Sequence, residues 1–127
     1  MKTQIEKVAQ FHRVFKQTQA DEPTLIPEDD FILRHKLMAE ENQEYIEACW
    51  NGDIVEIADA LGDQLYILCG TILRHGMQYK IEQVFNEIHE SNMSKLDEKG
   101  QPILREDGKI MKGNSYFKPA LHRFFDK

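Results

Sequence analysis

The residues best placed to do chemistry are acids. In the stretch AEENQEY, residues 39 to 45, Glu40, Glu41 and Glu44 fall within five positions, and Glu56, Asp59 and Asp63 follow at i, i+3 and i+7. At 100° per residue the three glutamates project to one side of a single helical turn, and the later three share a face of their own. From Leu37 to Leu73 there are eight acids and no Lys, Arg or His. A merely solvated helix face would intersperse basic residues one turn away, and these faces do not. Carboxylates brought together in this way repel and raise one another's pKa unless a cation lies between them. Mg²⁺ suits such a donor set, being a hard ion that takes carboxylate oxygens and keeps positions open for water and phosphate. The competing reading is a solvated acidic surface, and Glu47 and Asp53 fit it better, as a surface charge and a helix cap.

The elements that must position these acids are helices. In TQIEKVAQFHRVFKQTQ the apolar residues Ile5, Val8, Phe11 and Phe15 recur at helical spacing, with Thr3 and Glu6 as a capping box. Phe11 and Phe15 read as core, while His12 and Gln17 are the polar candidates for a base pocket. ADEPTLIPEDD breaks the pattern as a loop. A second helix is expected from near Pro27 to about Trp50, stopped at Asn51-Gly52-Asp53. Trp50 beside that turn reads as packing. A third helix follows with Asp53 as N-cap and Gly76 as C-cap, roughly 33 Å long. Its stripe Ile54, Ile57, Leu61, Leu65, Leu68 and Ile72 reads as the core face, and LYILCGTIL, apolar nearly all round, suits a central helix or one that also meets a second subunit.

The short turn makes the second and third helices an antiparallel hairpin, so the two acidic clusters can face each other at similar height. A fourth helix covers about Lys80 to Lys95, with Ile81, Val84, Phe85 and Ile88 inward. The remainder is glycine-bearing and basic, and Asp107-Gly108 between two apolar runs signals a type I′ hairpin. The expected fold is all-α, a four- to five-helix bundle with a short C-terminal β-hairpin and tail. It forms one domain over 1–127, with a helical core of about 3–98 and a basic hairpin and tail of about 99–127.

Charge follows the same division: residues 1–36 sum to 0, 37–73 to −8 and 74–127 to +2, giving −6 overall. Lys95, Lys109, Lys112 and Lys118 in the tail are a natural complement to phosphate, or simply solubilising charges. Cys49 and Cys69 lack metal spacing and read as reduced core thiols. No window has the length of a membrane span and the N-terminus lacks a signal peptide's apolar run, so the expectation is a cytoplasmic protein with no membrane or nucleic-acid partner. Arg34, two turns before Glu41, either holds the acids structurally or touches phosphate. His35, His75, His89 and His122 show no ligand spacing.

EENQE followed by EIAD resembles the paired acidic signature of the all-α nucleoside triphosphate pyrophosphohydrolases, the MazG and dimeric dUTPase superfamily. ADALGDQLYILCGTILRHGM, IHESNMSKL and GKIMKGNSYFKP resemble its phosphoribosyl-ATP-pyrophosphohydrolase-like branch. The resemblance implies a helical bundle assembling as a homodimer or dimer of dimers. It implies Mg²⁺- or Mn²⁺-dependent hydrolysis of a nucleoside triphosphate to the monophosphate and pyrophosphate. By position it implies Glu41, Glu44, Glu56 and Asp59 as metal ligands, with Asp63 a possible ligand in place of Glu56. Glu40 becomes an outer carboxylate or the base that deprotonates the attacking water, and Asn92, Lys95, Lys112 and Tyr116 become phosphate contacts. The rivals are a phosphoribosyl-ATP pyrophosphohydrolase proper and a non-catalytic acidic mimic of nucleic acid.

Overall fold

The computed structural model describes residues 1–125 in four α-helices, a two-stranded hairpin and a closing 3₁₀ turn at His122–Phe124. The helices are α1 (Lys2–Val14), α2 (Glu28–Trp50), α3 (Ile54–Arg74) and α4 (Ile81–Met93). The strands are β1 (Ile103–Leu104) and β2 (Ile110–Met111). This is the all-α fold expected, built as two compact units that divide after Tyr79. No helix among the described residues is long and apolar enough to cross a membrane.

In the first unit the α2–α3 hairpin forms as the turn chemistry demands. Gly52 takes the left-handed φ of +64° that the tight reversal requires. Asp53 caps α3, its Oδ1 accepting from the backbone N–H groups of Val55 at 3.0 Å and Glu56 at 3.2 Å. At its far end α3 stops at Gly76, with φ +67°. The loop after α1 then covers the last carbonyls of α3: Ala20 N–H donates to Leu73 O at 3.0 Å and Thr24 N–H to His75 O at 2.8 Å.

The buried face is not the one that large apolar side chains outline. Helix α1 starts at Lys2, so Thr3 and Glu6 lie inside it and make no capping box. Its buried residues are Ile5, Val8 and His12, whereas Phe11 and Phe15 are exposed and stack on each other, with Phe11 edge-on to Tyr66 at 5.7 Å. Helix α3 buries Ala60, Cys69, Gly70, Ile72 and Leu73, while Ile54, Leu61, Leu65 and Leu68 of the expected stripe stay exposed. Small residues let the helices approach closely, which leaves the large ones outside the single chain. Trp50, expected to pack, is 75% exposed. Both cysteines are free thiols, Cys69 buried and Cys49 half-buried.

In the second unit α4 turns Glu87 and Ser91 inward, with Phe85 and Ile88 exposed, contrary to the apolar pattern. Polar groups win because the tail supplies their partners. Ser91 Oγ donates to Phe117 O at 2.7 Å, Ser94 Oγ accepts from Phe117 N–H at 3.1 Å, and Arg123 pairs with Glu87 at 3.0 Å. The hairpin forms in the register Ile103–Met111 and Leu104–Ile110. Its turn is not type I′, because only Gly108 of the Asp107-Gly108 pair has positive φ. The loop is three residues, Glu106 to Gly108, closed by Arg105 N–H to Lys109 O at 2.8 Å and braced by the Arg105–Asp107 ion pair.

Candidate active site

The α2–α3 hairpin carries the acids to one place. Glu41 and Glu44, one turn apart on α2, and Asp63 on α3 each offer a carboxylate oxygen, and these atoms lie within 4.8 Å of one another. Beside them Gln64 Nε2 donates to Asn42 Oδ1 at 3.2 Å, a cross-helix bond between the residues that follow Asp63 and Glu41. Farther along the hairpin, Arg34 Nε donates to Thr71 Oγ1 at 3.0 Å and Nη2 to Ile67 O at 2.9 Å.

Electrostatics mark the trio as a site under tension. Burial pushes the Glu41 carboxyl up to about 7, and a hydrogen bond with Glu44 and the charges of Glu44, Asp63 and Glu40 add to the rise. Burial likewise raises Asp63, with Asp59 and Glu44 contributing. Glu41 Oε2 is buried with no hydrogen-bond partner. A buried, unpaired oxygen on a carboxylate whose charge Glu44 and Asp63 oppose is costly without a cation, and a hard divalent ion fits such donors.

The other expected residues fall as follows. Asp59 is exposed one turn before Asp63 and near enough to raise it. Glu56 is exposed in the first turn of α3, about 10 Å along the helix from Asp63 and outside the trio. Glu40 is exposed beside Glu41. His12 is 4% exposed, its Nδ1 without a partner; burial, reinforced by Arg34 and Arg74, pushes its imidazole down. Gln17 lies in the exposed loop, its amide donating to Phe15 O at 3.2 Å. In the second unit Asn92 is exposed, Lys95 is half-buried with its carbonyl accepting from Gly113 N–H at 3.0 Å, and Lys112 stands 4.8 Å over the Tyr116 ring.

The sequence carries no motif for the Asn42–Gln64 bond or for the two acceptors of Arg34, although Asn42 with Gln64 and Arg34 with Thr71 stand at nearly equal distances on either side of the turn.

Residues 8–92, well over half the chain, match the phosphoribosyl-ATP pyrophosphohydrolase family. No curated protein matches. Among solved structures, a candidate NTP pyrophosphohydrolase from Exiguobacterium sp. 255-15 is 28% identical, with a TM-score of 0.51 over 96% of this chain and 93% of that one. The matched stretch contains the whole acidic hairpin, and the chain belongs to the phosphoribosyl-ATP pyrophosphohydrolase family, within the MazG-like superfamily.

Proposed function

We propose that the protein is a Mg²⁺-dependent nucleotide pyrophosphohydrolase that hydrolyses a nucleoside or deoxynucleoside triphosphate to the monophosphate and pyrophosphate, clearing the nucleotide pool of the cytoplasm. The observations that carry this reading are the convergence of Glu41, Glu44 and Asp63 and the burial of one Glu41 carboxylate oxygen without a partner. These three would hold Mg²⁺ or Mn²⁺, with Asp59 beside them. When bound, the ion supplies positive charge against the carboxylates and against the charge that builds on the phosphorus and the departing pyrophosphate.

The chain's own groups do the rest. Glu40, exposed next to Glu41, takes the proton of the attacking water; oxygen bonds to the α-phosphorus as the α–β bridge bond breaks, and pyrophosphate leaves. Asn92, Lys95, Lys112 and Tyr116 are assigned to phosphate contact from their chemistry and from the resemblance of IHESNMSKL and GKIMKGNSYFKP; all of them but Asn92 lie beyond the matched residues 8–92. The uncovered apolar residues of α3, Leu61, Leu65 and Leu68, support assembly as a homodimer or dimer of dimers.

Phosphoribosyl-ATP is the second candidate substrate, favoured by the family matched. A panel of nucleoside and deoxynucleoside triphosphates, with phosphoribosyl-ATP among them, assayed for pyrophosphate release with and without Mg²⁺, tests both. Release that needs Mg²⁺ is expected. No release from any substrate, with no Mg²⁺-induced rise in melting temperature, overturns the enzyme reading.

A further inference from the structure

The acidic trio needs its two helices held in one axial register, because a slip of a single residue moves a carboxylate by about 1.5 Å. The turn at Gly52 lies some eight residues from Glu44 and does not by itself fix that register so far from the reversal. Cross-helix contacts hold the region from within and from one side: the exposed Asn42–Gln64 side-chain hydrogen bond in the trio's own turn, and the part-buried hydrogen bonds of Arg34 farther from the reversal.

Arg34 stands seven residues before Glu41 on α2 and Thr71 eight after Asp63 on α3, about 10–12 Å from the trio along each helix, with Ile67 only four residues from Asp63. The guanidinium engages α3 through two different kinds of acceptor. Nε reaches the Thr71 hydroxyl, and that hydroxyl donates in turn to Ile67 O at 2.9 Å, the same carbonyl that accepts from Arg34 Nη2. A closed set of three hydrogen bonds results, and it cannot be remade one residue along the helix. Gly70 leaves room for it: a Cβ there would come 2.6 Å from Arg34 Nη2 and 3.2 Å from His12 Nε2. His12 from α1, 4% exposed, closes the junction from the far side.

We propose that Arg34 is a positioning residue for the acidic site, its guanidinium keying α2 to Ile67 and Thr71 of α3 so that Glu41, Glu44 and Asp63 meet. The inference rests on the proposed metal-dependent reading of that trio. Arg34 touches neither ion nor substrate in this account; its effect is on the precision of the donor set. Lysine in its place can reach one of the two acceptors and not both, because an ammonium is a point donor without the planar fork.

The test is Mn²⁺ binding to the full chain, followed by electron paramagnetic resonance, with the metal-free melting temperature recorded beside it. Arg34→Met should weaken Mn²⁺ binding about tenfold, the low end of the loss seen when a direct hydrogen-bond partner of a metal ligand is removed. Arg34→Lys should recover part of it. Arg74→Met, which breaks the ion pair to Asp30 between the same two helices, is the control: it should lower the melting temperature and leave Mn²⁺ affinity within about twofold. Should Arg34→Met fail to fold, Thr71→Val removes a single acceptor and should still weaken Mn²⁺ binding severalfold. A folded Arg34→Met, or failing that Thr71→Val, with wild-type Mn²⁺ affinity overturns the inference alone. A wild-type protein that binds no Mn²⁺ overturns the metal reading, and this inference with it.

Discussion

Glu41→Gln should stabilise the metal-free protein at pH 8, an unusual outcome for a substitution at a proposed active site. The Glu41 carboxyl is raised from 4.5 to about 7, chiefly by burial and then by Glu44, Asp63 and Glu40. A folded-state pKa above the unfolded one means the native protein holds the proton more tightly. No penalty exists below about pH 4.5; it accumulates as pH rises and is complete above about 7. Linkage places the upper bound at about 3 kcal/mol, and solvent screening at this half-buried carboxylate reduces the expectation to about 1 kcal/mol. Glutamine keeps the shape and retains a donor for Glu44, so the hydrogen bond survives while the charge does not. In EDTA the variant should melt about 3–5 °C above wild type at pH 8 and within about 1 °C of it at pH 4.5. Adding Mg²⁺ should raise wild type and reverse the order. A variant less stable than wild type at pH 8 without metal would overturn the penalty assigned to Glu41, because it would mean that the ionised carboxylate is already satisfied within the chain.

Two predictions concern the frame around the site. Gly76→Ala should lower stability by about 2 kcal/mol or more in urea unfolding, because φ is +67° and the new Cβ would come 2.0 Å from Glu22 O. Lys16→Gly should raise stability by about 0.5–1 kcal/mol. Lys16 is a non-glycine residue at φ +57°, in a helix stop where Gln17 N–H reaches back to His12 O at 2.7 Å.

The sequence made the helical hairpin legible because its signals are local. Asn51-Gly52-Asp53 is a turn followed by a cap, and Gly76 after the last apolar run is a helix stop, so both boundaries of α3 follow from a few residues. The clustering of acids was legible for the same reason, since faces follow from spacing. The depth of α2 against α3 was not, and that depth decides which acids meet. Glu41, Glu44 and Asp63 converge while Glu56 sits about 10 Å away in the capped first turn, a matter of axial register that Arg34 and the Asn42–Gln64 bond hold. The buried faces misled because periodicity weighs large apolar side chains. Here close helix approach selects Ala60, Cys69 and Gly70, and puts His12 rather than Phe11 inside. In α4, Glu87 and Ser91 turn inward for partners more than twenty residues away, at Arg123 and Phe117, which no local pattern encodes.

The central claim is that Glu41, Glu44 and Asp63 form a divalent-cation site whose ligands must shed a proton to bind. Isothermal titration of Mn²⁺ into EDTA-stripped protein, repeated in buffers of different ionisation enthalpy, measures that directly. With Glu41 at about 7, close to one proton should be released per site at pH 6 and almost none at pH 8.5, and Asp63→Asn should lose binding. Absence of Mn²⁺ binding at either pH, or tight binding at pH 6 without proton release, would contradict it.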